Sequence, residues 1–86
     1  MAIEFSPSSP KAGESCTVTA SDYTATNVTL NVSGAISGSD NRGGTTASVT
    51  GTVDNVFGQI RANATFAHGE DRPTTESATV YVSSQT

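Results

Sequence analysis

Apolar and polar residues alternate along most of this chain with a period of two, which places every second side chain on one face of a strand. Ile3 and Phe5 share one face, while Ala2, Glu4 and Ser6 lie on the other. Cys16, Val18 and Ala20 alternate with Thr17 and Thr19. Val28, Leu30 and Val32 alternate with Thr29, Asn31 and Ser33. Ala47, Val49, Gly51 and Val53 alternate with hydroxyl residues. Ile60, Ala62, Ala64 and Phe66 make the longest clean run, with Gln59, Arg61, Asn63 and Thr65 outside. Ala78, Val80 and Val82 form a last strand. No stretch shows the 3.6-residue period of an amphipathic helix or a capping signal followed by an apolar stripe.

The segments between these runs read as breakers. Residues 6–13 hold Pro7 and Pro10, which exclude helix, and Gly13, which permits a tight turn. Residues 22–27 read as a loop, Asp54-Asn55 as a turn, and residues 68–75, with Gly69 and Pro73, as a polar loop. Residues 33–44 carry Gly34, Gly38, Gly43 and Gly44, with Ile36 as the one large apolar residue. That stretch is expected to be a short edge strand or a mobile loop. The fold class that follows is all-β: an immunoglobulin-like two-sheet β-sandwich of about seven antiparallel strands. It is one domain over residues 1–86, with 83–86 as a loose tail.

Composition refines this picture. Ser and Thr supply 26 of the 86 residues, a bias that elsewhere marks disorder or a mucin-like stalk. Here Thr alternates with Val and Ala, as on the solvent face of a strand. The net charge is −4, with 14% charged residues. Nucleic acid calls for a basic stripe and an anionic membrane surface for a basic patch, so neither is an expected partner. A single cysteine, Cys16, forbids an intrachain disulfide, which points to synthesis in a reducing compartment. The first residues show no basic and then apolar leader, so no signal peptide is expected.

Residues 9–20, Ser-Pro-Lys-Ala-Gly-Glu-Ser-Cys-Thr-Val-Thr-Ala, resemble the opening of bacterial and bacteriophage immunoglobulin-like modules: a Pro, then Gly-Glu, then an alternating Thr/Val strand. Residues 27–32 and 78–82 look like the third and last strands of such modules. The antibody-type pattern is absent. The strand that would carry the second cysteine offers Ala62 and Ala64, and there is no Trp. The chain is therefore more similar to the disulfide-free modules of bacterial surface proteins and phage virions. This resemblance implies a decoration or cement protein, made in the host cytoplasm and docked on a major capsid or tail protein in the virion. Homo-oligomers on a lattice are compatible with it. A carbohydrate- or cell-surface-binding module is the alternative.

Candidate contact residues follow from the strand pattern. Loops at sandwich ends carry binding, so Ser39, Asp40, Asn41 and Arg42 in the glycine-rich stretch come first. Ile3 and Phe5 could pair with a neighbouring chain by strand addition. Tyr81 and Phe57, expected on outer faces, would be aromatic anchors. Cys16 shares parity with Val18 and Ala20 and reads as a small buried hydrophobe. Its only possible histidine partner, His68, lies in a distant segment. His68, Glu70 and Asp71 could hold a cation, but they read better as a solvated loop with Arg72. The sequons at Asn27, Asn31 and Asn63 read as strand residues. Neither a catalytic constellation nor a cofactor is expected.

Overall fold

A computed structural model describes residues 2–6, 10–54 and 58–82. Seven strands run through them: β1 (Ala2–Ser6), β2 (Ser15–Ser21), β3 (Asn27–Gly34), β4 (Gly38–Gly43), β5 (Thr46–Thr52), β6 (Gln59–His68) and β7 (Asp71–Tyr81). They form two antiparallel sheets, ordered β1-β2-β5 and β4-β3-β6-β7. The chain is an immunoglobulin-like β-sandwich. In the constant-type arrangement the fourth strand pairs with the fifth; here β4 pairs with β3 in the other sheet.

The alternation read from the sequence sets which side chains meet. Val18 faces Val49 across β2 and β5, and Leu30 faces Ala64 across β3 and β6. Phe66, Leu30, Ile60, Val18 and Val28 are fully enclosed. Small and large residues alternate where the sheets approach. Gly51 lies opposite Cys16, and a Cβ on it would come within 2.9 Å of Ile36 Cγ2. The glycine is what lets Ile36 fold over the core at 4% exposure.

Backbone hydrogen bonds fasten the loops to the sheets. Ala35 donates to the Gln59 carbonyl at 2.8 Å and Asp54 to the Ala35 carbonyl at 2.7 Å, joining both sheets at one end. At the other end Asp22 donates to Thr45, Gly44 to Thr26 and Thr26 to Ala67, at 2.8–3.0 Å. Such bonds satisfy groups that leave the ladders.

Of the two readings of residues 33–44, the short edge strand holds: β4 lies at the sheet edge, carries Ser39, Asp40, Asn41 and Arg42, and is followed by a short turn into β5. Another expectation changes. Residues 68–75 are not a loop: β6 runs to His68, Gly69 turns with φ 67°, and β7 starts at Asp71. Pro73 fits there because β7 is an outer strand, where a missing N–H costs no ladder bond. Asn55, Phe57, the 83–86 tail and part of the proline-rich breaker lie outside the described residues.

Candidate functional site

The β2–β3 loop and the β6–β7 turn emerge at the same end of the sandwich. A polar clasp joins them. Asp22 closes β2 and is only 7% exposed. Its Oδ1 accepts the Thr24 N–H at 3.0 Å and the Thr24 hydroxyl at 2.8 Å. This Asx turn forms because a short carboxylate can reach the backbone two residues on. The Thr24 N–H, then its hydroxyl, hold the Asp22 carboxyl below its ordinary value of 3.8.

His68, the last residue of β6, completes the clasp. Its Nε2 lies 2.8 Å from Thr74 Oγ1 and 3.7 Å from Asp22 Oδ2. Its Nδ1 lies 3.3 Å from both the carbonyl and the hydroxyl of Thr24. A carbonyl only accepts, so in the neutral ring Nδ1–H donates to Thr24 and Nε2 accepts from Thr74. A hydrolytic triad places its carboxylate and its nucleophile on opposite ring nitrogens. Here Asp22 and Thr74 share Nε2, and the Thr24 hydroxyl on the Nδ1 side already donates to Asp22 Oδ1, so these contacts tie the β2–β3 loop to the β6–β7 turn.

The clasp has one outward consequence. With Asp22 and Thr24 both turned in, Tyr23 between them stands 90% exposed. The sequence carries a signal for this, an aromatic residue inside an Asp-x-Thr turn after a strand, but Tyr23 falls outside the alternating runs. Glu70, in the turn, and Asp71, at the start of β7 opposite His68, are both exposed. Among the described residues, no three His, Cys, Asp or Glu side chains gather where a metal ion could sit.

The sequence-derived contact residues fall into separate places. Ile3 and Phe5 face inward from β1, opposite Ala20 and Val18, and are half-buried. Asp40 and Arg42 share the inward side of β4, opposite Leu30 and Val28. Asp40 Oδ2 accepts from Arg42 Nε at 3.0 Å and from the Ser48 N–H of β5 at 3.0 Å. The Ser48 N–H, then Arg42, lower the Asp40 pKa. Asn41, facing outward, accepts from Asn27 Nδ2 at 3.0 Å, and Ser39 is exposed beside it. Tyr81 ends β7 at the opposite end from Tyr23, 74% exposed. Phe57 lies outside the described residues.

Cys16 is 1% exposed, and burial pushes its thiol pKa up. It is the second residue of β2, whereas the His68 clasp adjoins Asp22, the residue after β2 ends. Five strand residues lie between the two positions, and the six steps span about 20 Å. The fold therefore keeps thiol and imidazole apart.

Compared with known protein families, curated proteins and solved structures, the chain matches none.

Proposed function

We propose that this sandwich is a non-enzymatic docking module that binds a larger protein assembly through its side. One observation carries the reading. Ile3 and Phe5 on the outer strand β1, Val80 on the outer strand β7 and Val82 just after it pack against the core, yet remain only half-buried. An apolar row left partly uncovered between two open strand edges suits a partner better than water. The seam on the other side, between β4 and β5, is closed by Asp40.

The resemblance of residues 9–20 to phage immunoglobulin-like modules supplies the kind of assembly: a virion, with a major capsid or tail protein as partner. A virion built in the host cytoplasm is compatible with a module whose only cysteine is a buried core residue. The test is density-gradient separation of a lysate of the native source, with the chain detected fraction by fraction. Migration with large particles, and release by mild denaturant, supports the module. Migration as free small protein refutes it.

Tyr23 favours a second reading. An aromatic ring held out by a braced turn, beside the polar β6–β7 turn, is a platform for a sugar ring or a cell-surface ligand. Saturable glycan binding lost in Tyr23→Ala would select it over the first.

A further inference from the structure

The two outer strands of the four-stranded sheet each turn a carboxylate toward the interior. Asp40 on β4 lies opposite Leu30, and Glu76 on β7 lies opposite Ala64. The two are treated differently. Asp40 has a guanidinium and a backbone N–H as partners. Glu76 Oε2 is buried and has no hydrogen-bond partner among the described residues. An ionised oxygen removed from water without a donor is costly, and each such atom in a folded protein asks for an explanation.

The surroundings supply one. Glu76 shares its face with Ala78 and Val80. This face packs toward β1, whose Ile3 and Phe5 are also half-buried. β7 has eleven residues against five in β1, and among the described residues no strand pairs with its outer edge. Pro73 has no N–H to offer, so the stretch free to accept a strand runs from 74 to 81.

Resting on the docking role proposed above, we infer that this edge accepts an extended segment of the partner protein, and that the segment brings a lysine or arginine to Glu76. Strand addition pairs backbone with backbone and leaves recognition to alternate side chains. On the inward face these are one cation, giving Oε2 the charged donor it lacks, flanked by apolar residues that cover Ile3, Phe5 and Val80. An acidic residue at the same place meets a like charge and is rejected. A second copy of β7 fits poorly. Centred on Glu76, it sets carboxylate against carboxylate; shifted to bring Arg72 to Glu76, it runs Pro73 through the ladder.

The probe is a pair of synthetic peptides, Val-Thr-Val-Thr-Lys-Thr-Val-Thr-Val and the same sequence with Glu at its centre. Each is titrated into the isotope-labelled full chain and followed by amide chemical shifts. The Lys peptide should bind saturably, move amides of β7 and β1, and bind at least about tenfold more tightly than the Glu peptide. Glu76→Gln should keep the fold and reduce that preference to about twofold or less. Shifts centred on β4, a preference that survives Glu76→Gln, or no saturable binding of the Lys peptide would overturn the inference. Gradient migration of both proteins separates this from the docking role. If the Glu76→Gln protein stays with the particles as well as the parent does, the docking role stands and the Glu76 contact is refuted. If the parent itself is not on particles, the docking role fails.

Discussion

The backbone N–H of Ser48 on β5 reaches Oδ2 of Asp40 on β4 at 3.0 Å, so a side chain from the edge of one sheet caps the open edge of the other. Inward-pointing charge is one of the ways proteins keep edge strands from pairing with strangers. Asp40→Ala should lower Tm and expose two neighbouring edges at once. Thermal unfolding and sedimentation velocity would show both the destabilisation and new self-association. A variant that stays monomeric with the parent's Tm would show that the cap does nothing.

Acid should weaken the fold through the same class of group. The Asp22 and Asp40 carboxyls both have folded-state pKa values lowered from 3.8. The unfolded chain therefore binds protons at these sites before the folded chain does, and stability rises with pH across that window. Their contribution is fully present above 3.8 and is lost as pH falls through the lower folded values. Denaturant midpoints measured across the acid range should fall below about pH 4. Asp22→Asn and Asp40→Asn should each flatten that limb. An acid limb of unchanged steepness in both variants would assign the loss to other carboxylates.

Two glycines separate strain from steric clash. Gly34 has φ +100°, and a Cβ on it would collide with the Gln59 carbonyl oxygen. Gly44 has φ +124°, with nothing within 4 Å of the same built atom. Gly44→Ala should cost about 1–3 kcal/mol, the usual penalty of a strained backbone conformation. Gly34→Ala should cost more, because the carbonyl at fault belongs to the joint between β3 and β6. Equal losses in chemical denaturation would mean that the backbone there yields freely.

The parts of this fold visible in the sequence are those where period-two alternation meets a core. β2, β3, β5 and β6 show it because their inward residues, from Cys16 to Phe66, are buried. β4 hides it because its inward residues, Asp40 and Arg42, are charged and serve the seam rather than the core. The first half of β7 hides it because residues 71–75 are exposed on both faces and include a proline. The Asp22–His68 clasp was not legible. Those residues are far apart in the chain, and only the β3–β6 register, with Asn27 against Ala67, brings their segments together. Glu76 was equally hidden, because its parity with Ala78 and Val80 emerges only once β7 is seen to run past the expected loop.

Cys16 should behave as a core residue. Its thiol is enclosed and its pKa raised by burial, so the reactive thiolate is scarce and shielded. A thiol-specific chromogenic reagent should label the denatured chain at once and the native chain only at the rate of opening. Rapid native labelling would contradict this. Leu30→Ala, at the centre of the same core, should cost about 2–5 kcal/mol in chemical denaturation.

The central claim is that the protein docks by its β1–β7 side. Hydrogen exchange, compared between particle-bound and free protein, tests it most directly. Slowed exchange from 74 to 81 and along β1, with the β4 edge and the Tyr23 turn unchanged, is the predicted footprint. Protection confined to the Tyr23 turn, or identical exchange in both states, would contradict the account.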